Sequence, residues 1–202
     1  GIALAGNVGN PTVLLLDSDA RLGADTGALN LGRASGASIL PGTLRATADL
    51  TVAATRSTTF RGMTVDTNGF NIVFDQPISG RDLTKTGAGT WTLNTANTDA
   101  SGDNLVTLAQ GTVKLGINDA FGTRASISSF ASGAVLDLNG RNFSLMNLNN
   151  VGPTGEIKLG GGTLTLVTRA TSMEGIITGT GNVVLGQEGF TPLGFSFSGN
   201  ST

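Results

Sequence analysis

The chain has 202 residues, of which 31 are glycine, and a formal net charge of −2 with 13% charged residues. This balance excludes the basic surface that nucleic acids or anionic lipids require, and the absence of cysteine excludes disulfides and thiolate metal sites. Only three glutamates and three lysines are present, which disfavours long helices. No run approaches the roughly 20 apolar residues of a transmembrane helix. We therefore expect an all-β chain with no nucleic-acid partner, no cofactor and no transmembrane segment.

Short segments in which apolar and polar residues alternate follow one another along the chain, and most stop at Gly or Asn-Gly. They are TVDTNGFNIVF (64–74), TWTLN (90–94), GTVKLG (111–116), AVLDLNG (134–140), GEIKLGGGTLTLV (155–167) and GNVVLG (181–186). Such alternation is typical of strands with one buried face. The residues predicted to point into the core are Val65, Ile72, Trp91, Leu93, Val113, Leu115, Leu136, Leu138, Leu164 and Leu166.

Between these segments no stretch of ten residues has apolar spacings of three and four, so helical crossovers are not predicted. Many short strands without helices leave a sandwich, a closed barrel or a β-solenoid. Internal repetition favours the solenoid, because its rungs are similar units that bury their apolar faces only against each other. The two halves of the chain align at a shift of 99 to 100 residues. We predict a single solenoid segment over residues 1–202, built as two diverged copies of one large unit.

The closing residues FSFSGNST (195–202) are similar to WTLNTANT (91–98) in the middle of the chain. If residue 1 is written directly after residue 202, the repeated unit continues in nearly the same phase. This pattern indicates either part of a longer array or a protomer that stacks head to tail.

The run LTKTGAGTWTLNTANTDASGDNLVTLAQGTVKLG (83–116) resembles the autotransporter-associated β-strand repeat of large bacterial surface proteins. DAFG (119–122) and LDLNG (136–140) follow in the order of that repeat. The resemblance is strong over residues 64–145 and weaker on either side. It implies a right-handed parallel β-helix that is exported and displayed on the bacterial cell surface. With roughly 20–25 residues per coil, the chain would form about eight to ten rungs.

Glycines mark the predicted corners between strands. Gly87 and Gly89 lie between two strand patterns, whereas a phosphate-binding glycine loop must open a helix, so we interpret them as a structural turn. Gly69 and Gly140 follow asparagine, and both residue types tolerate the left-handed backbone angles of a tight corner.

Clustered carboxylates are the remaining candidates for chemistry. Asp17, Asp19 and Asp25 are candidate calcium ligands, because Ca²⁺ takes several carboxylate oxygens from one loop; an Asp-rich turn after the LLL strand is the alternative. Cleavage of a polysaccharide would need acidic groups converging on neighbouring rungs, and the three glutamates, at 156, 174 and 188, are far apart in sequence. Histidine, cysteine and tyrosine are absent, which removes the commonest proton-transfer groups. We expect no enzyme and no metal site.

Two features favour a surface function or a structural one. Thr-x-Thr pairs at 84 and 86, 90 and 92, and 163 and 165 are good strand formers, and they lack the fixed interval of an ice-binding array. Trp91 would stack on a sugar if it were exposed, but its alternation with Leu93 favours the core.

The predicted function is a structural segment of an extracellular bacterial surface fibre or adhesin stalk. Its partners would be itself or neighbouring repeats, end to end. The alternative is an adhesive module that binds glycans or other cells, with avidity along the array. A carbohydrate-active enzyme and an ice-binding solenoid are less favoured.

Overall fold

The computed structural model describes residues 2–4, 12–35, 38–99, 103–149, 151–170 and 173–186. Apart from one 3-10 turn at Asp19–Leu22, the regular structure in these ranges is all β. The described strands are β1 (Ile2–Leu4), β2 (Thr12–Leu16), β3 (Leu29–Leu31), β4 (Arg33–Ser35), β5 (Ser38–Leu40), β6 (Gly42–Ala46), β7 (Leu50–Val52), β8 (Thr58–Asp66), β9 (Ile72–Phe74), β10 (Ile78–Thr86), β11 (Thr90–Leu93), β12 (Asn104–Leu108), β13 (Thr112–Leu115), β14 (Ala125–Phe130), β15 (Val135–Asp137), β16 (Phe143–Leu148), β17 (Glu156–Lys158), β18 (Thr163–Ala170), β19 (Ile176–Thr178) and β20 (Asn182–Leu185).

These strands form two parallel sheets that the chain visits in turn. The seven-stranded sheet has the order β7, β9, β11, β13, β15, β17, β19. The eleven-stranded sheet runs β8, β10, β12, β14, β16, β18, β20, with β3 and β6 both paired to β8 at its start. Each circuit of the chain therefore adds one strand to each sheet. This arrangement is a parallel β-solenoid, and it confirms the predicted fold class.

The number of turns is smaller than predicted. Register partners along the seven-stranded sheet mark six turns, with intervals of 22, 19, 22, 23, 21 and 20 residues. The coil that precedes them is longer, since Leu29 pairs with Thr58, 29 residues away. The estimate of eight to ten rungs assumed regular coils over the whole chain, and residues 187–202 lie outside the described ranges. The doubling of a larger unit stays a prediction. The partners are Leu50, Ile72, Trp91, Val113, Leu136, Ile157 and Ile177.

The interior of the coil is filled by side chains that stack at the strand spacing of about 4.8 Å. Trp91 lies between two phenylalanines, with its ring centroid 5.3 Å from that of Phe74 and 6.2 Å from that of Phe121. Phe143 extends this row at 5.8 Å from Phe121. The ten predicted core residues are each at most 1% exposed. They are Val65, Ile72, Trp91, Leu93, Val113, Leu115, Leu136, Leu138, Leu164 and Leu166.

The eleven-stranded sheet bends within its long strands. In β8, Phe60 and Met63 are both buried although two residues separate them, so the alternation of period two is interrupted there. Gly62 supplies the extra residue with a φ of +71°, and Asp82 does the same in β10 with a φ of +63°. A local insertion of this kind bends a strand sharply. The bend gives each coil a further corner.

A hairpin interrupts the first coil at this corner. Ten residues (32–41) separate Leu31 from Gly42, whereas two separate their register partners Phe60 and Met63. The eight extra residues carry β4 and β5, the antiparallel pair of the described structure. Ile39 of this hairpin lies directly over Gly62, where a Cβ would overlap the Ile39 side chain. The hairpin is thus held as a projection beside the bend in β8.

Candidate functional site

A recurring turn unit, Asp-x-Asn-Gly-x-Asn, links strands at residues 66–71. Asp66 Oδ1 accepts the N–H of Asn68 at 2.9 Å, and Asn68 has a left-handed φ of +49°. Asn68 Nδ2 donates to the carbonyl of Ala46 on the neighbouring coil at 3.2 Å. Asn71 Oδ1 accepts the N–H of Thr90 on the opposite neighbour at 3.3 Å. The unit therefore closes a corner and binds the coils on both sides of it.

The same unit at residues 137–142 makes the same four contacts. Asp137 Oδ1 accepts the N–H of Asn139 at 2.8 Å, Asn139 has a φ of +50°, and its Nδ2 donates to Leu115 O at 3.1 Å. Asn142 Oδ1 accepts the N–H of Thr163 at 3.1 Å. The first unit leads into the seven-stranded sheet and the second leads out of it. Their likeness is thus a property of the local turn, which serves either corner.

Replacing Asn139 with alanine is expected to lower the free energy of unfolding by about 1–2 kcal/mol, because alanine is strained at left-handed angles and a hydrogen bond is lost. Asn139→Gly relieves the backbone strain and should recover part of this loss. Urea denaturation followed by far-UV circular dichroism measures both values. Equal losses in the two variants would show that the backbone conformation contributes nothing.

The Gly-x-Gly turn that follows β10 is a second type of corner. Gly87 has a φ of +76°, and a Cβ at Gly89 would overlap the carbonyl oxygen of Phe70 on the neighbouring coil. The turn leads directly into strand β11, so it lacks the following helix of a phosphate loop. Gly69 and Gly140, in the Asn-Gly corners, have φ values of +89° and +75°.

Lys85, just before this turn, is the functional group that the sequence reading missed. Its side chain points inward and is fully buried. The Nζ donates to Thr67 Oγ1 at 3.0 Å, to the carbonyls of Thr86 and Gly87 at 2.8 and 2.7 Å, and to that of Gln110 at 3.0 Å. These acceptors lie on three successive coils. Its alternation with Leu83 on one strand face was the signal in the sequence.

Burial lowers the pKa of Lys85 to about 8, while the nearby Asp66 carboxylate opposes the shift. Asp66 itself accepts a hydrogen bond from Arg45 Nε at 2.6 Å. The buried ammonium therefore closes a polar cluster inside the coil, and its chemistry is directed at backbone carbonyls and not at solvent.

Ion pairs between arginine and aspartate join neighbouring coils on the outside. Exposed pairs of this kind contribute about 0–1 kcal/mol each, so their larger effect is to neutralise the outer surface. Four such pairs occur in the described structure, with N–O distances of 2.6, 3.2, 3.8 and 2.5 Å. They are Arg45 with Asp66, Arg61 with Asp82, Arg81 with Asp99, and Arg124 with Asp103.

The candidate calcium ligands are engaged by arginine. Asp17 pairs with Arg21 at 3.1 Å, and this hydrogen bond holds the pKa of the Asp17 carboxyl below its usual value. Asp19 pairs at 2.9 Å with Arg56, which is buried and also donates to Gly27 O at 2.7 Å. Asp25 is exposed. The described carboxylates thus fasten a loop to the solenoid, and no group of three metal-binding side chains is found among the described residues.

The glutamates are separate in the structure as in the sequence. Glu156 accepts a hydrogen bond from Thr178 Oγ1 at 2.7 Å and lies 3.6 Å from Lys158 Nζ. Glu174 lies beyond β18 and its backbone N–H donates to Val151 O. The third, at position 188, lies outside the described residues. The described glutamates therefore form no pair of the kind that glycoside cleavage uses.

Apolar side chains are exposed on strands at the two ends of the eleven-stranded sheet. In β20, Val183, Val184 and Leu185 are 37%, 43% and 45% exposed. In β2, Val13 and Leu15 are 47% and 61% exposed. Among the described residues β20 pairs only with β18, and β2 only with β6. Both ends therefore present unpaired strand edges with apolar side chains.

The fold and these contacts define the chain as a repetitive parallel β-solenoid whose buried polar groups link one coil to the next. None of the described residues forms a helix long and apolar enough to cross a membrane. The chain is similar to Adhesin BmaC autotransporter of Brucella suis biovar 1 (strain 1330), with 37% identity over 127 residues. The match covers 59% of the chain and 4% of that relative. No family model matches the chain, and no solved structure matches it.

Proposed function

We propose that the chain is a structural segment of an autotransporter-adhesin passenger, displayed outside a bacterial cell. The observation that carries this proposal is the continuous stack of six coils, whose hydrogen bonds and ion pairs run from coil to coil. The likeness to an autotransporter adhesin supports the same location and role. The function is mechanical: the segment holds distance, and its low outer charge and scarcity of lysine leave few sites for proteases.

The segment extends by adding coils at its ends, from the same chain or from a second copy. A strand edge with unpaired backbone groups and apolar side chains is a template for a further strand. β20 and β2 both have this character, and they belong to the same parallel sheet. Head-to-tail contact of β20 with β2 of a second copy would continue the sheet in the same strand direction. Catalysis forms no part of this role.

Sedimentation velocity and electron microscopy of the 202-residue chain test the end-to-end contact. We expect elongated particles that lengthen with concentration. Val184→Lys places a charge on the edge strand and should raise the concentration for half-assembly at least ten-fold. Thr165→Lys, on the register partner in the interior strand β18, is the matched control and should assemble like the unmodified chain. Chains that remain monomeric at high concentration would contradict end-to-end stacking.

A further inference from the structure

A groove crosses four coils on the outer face of the eleven-stranded sheet, at the foot of the β4–β5 hairpin. Its volume is about 370 Å³, within the range of small-ligand sites. The hairpin supplies one wall through Ile39 and Pro41, and Leu105 of β12 stands on the other side of the floor, 45% exposed. The regular coils lack the eight extra residues that build this wall. The groove is thus a feature added to the repeat and not part of it.

The floor of the groove is a column of hydroxyl groups. Thr64, Thr84 and Thr107 are register partners on β8, β10 and β12, so they recur at the strand spacing of about 4.8 Å. Ser128 on β14 ends the column, with its Oγ 3.1 Å from Thr107 Oγ1. The Thr64 and Thr84 hydroxyls make no hydrogen bond within the described residues and are partly exposed. The column therefore offers donors and acceptors at regular intervals.

Charge makes little contribution to this surface. Asp82 is the charged residue among those that line the groove, and Arg61 Nε lies 3.2 Å from its carboxylate. The lining consequently carries no unbalanced charge that would select an anion or a cation. A neutral ligand with many hydroxyls satisfies the column without leaving a buried charge unpaired.

A peptide strand is a poor match for the same surface. Recognition of a peptide by strand addition needs an unpaired sheet edge. The floor strands β8, β10 and β12 are each paired on both sides, so their backbone groups are already used. Ice is also a poor match, because the hydroxyls form one column inside a groove instead of a flat two-dimensional array.

We propose that this groove binds a neutral, linear polysaccharide. Its hydroxyls bond to the column of Thr64, Thr84 and Thr107, and the apolar faces of its sugar rings pack on Ile39 and Leu105. Each sugar of a linear chain advances by a length comparable to one strand spacing, so successive sugars meet successive coils. The lining contains no aromatic ring, so binding at one groove is weak and gains strength from repetition along a surface array. This adhesive function adds to the structural role and does not depend on end-to-end assembly.

Titration of the ¹⁵N-labelled chain with cellohexaose and chitohexaose tests the proposal. Amide shifts should be confined to β8, β10, β12 and the hairpin, and should be absent with oligogalacturonate, the anionic probe. Thr84→Val removes one hydroxyl from the floor and Leu105→Ser removes the apolar wall; each should weaken binding at least five-fold. Thr92→Val, on the outer face of the seven-stranded sheet, is the matched control and should change binding less than two-fold.

Thermal unfolding of each variant checks that the fold is retained. Absence of shifts with both neutral probes, or equal affinity of the Thr84→Val and Thr92→Val variants, would overturn the proposal. Stronger shifts with oligogalacturonate would also overturn it. Sedimentation of the same samples reports separately on the structural role, since failure of glycan binding leaves end-to-end assembly unchanged.

Discussion

Replacing Trp91 with alanine is expected to lower the free energy of unfolding by about 3–5 kcal/mol. Trp91 is fully buried and contacts the rings of Phe74 and Phe121 on either side. Alanine would leave a cavity that the rigid parallel strands β9 and β13 cannot close. The loss should therefore combine the transfer free energy of the indole with the cavity cost. Urea denaturation followed by far-UV circular dichroism is the measurement, because the chain has no other tryptophan to report by fluorescence.

Two further variants separate cavity formation from other causes. Trp91→Phe keeps a ring in the row and should lose less than half as much as alanine does. Thr92→Ala, the adjacent outward residue, should change the free energy of unfolding by less than about 0.5 kcal/mol. A loss below about 1 kcal/mol for Trp91→Ala would show that the aromatic row does not hold the central coils together.

The core was predictable from the sequence because strands have a fixed period of two. Trp91 and Leu93 alternate with threonine, and their register partners Val113 and Leu115 alternate in the same way. Parallel stacking then brings equal faces together, so burial of one strand implies burial of the next. The Asn-Gly corners were predictable for a similar local reason, since few residues other than Asn and Gly adopt left-handed angles at low cost.

The features beyond the repeat were not predictable by that reasoning. The β4–β5 hairpin is an insertion, and a periodic pattern carries no information on where an insertion folds back. Its position depends on Gly62, whose missing side chain leaves room for Ile39. The groove floor escaped for another reason: Thr64, Thr84 and Thr107 are on different coils, and their register becomes known only when coil lengths of 19 to 23 residues are measured. Coil length also decided the turn count.

Lys85 was missed because burial of a lysine contradicts the usual distribution of charged residues. Its position between Leu83 and the Gly-x-Gly turn nevertheless obeys the strand alternation, so period outweighs residue type here. The carbonyls of Gly87 and Gln110 explain why the charge is tolerated: a corner leaves backbone acceptors directed inward, and Lys85 Nζ supplies the donors.

Replacing Lys85 with methionine is expected to lower the free energy of unfolding by about 2 kcal/mol at pH 7, because buried carbonyls lose their donor. This deficit should grow as the pH rises. The pKa of Lys85 is lowered from 10.5 to about 8 in the folded chain, so between these pH values the unfolded chain retains the proton and the folded chain releases it. The free energy of unfolding of the unmodified chain then rises by up to about 1.4 kcal/mol per pH unit. The methionine variant lacks this gain.

The quantity to measure is the difference in unfolding free energy between the unmodified chain and Lys85→Met, at several pH values from 7 to 10.5. Taking the difference removes the contribution of every other titrating group. Lys114→Met deletes a lysine from the outer face of the seven-stranded sheet and should cost less than about 1 kcal/mol at pH 7. A difference that stays flat or narrows above pH 8 would mean that Lys85 does not carry its charge into the interior. A widening difference would show that a buried ammonium ties three successive coils together, at the same corner that the Gly-x-Gly turn makes possible.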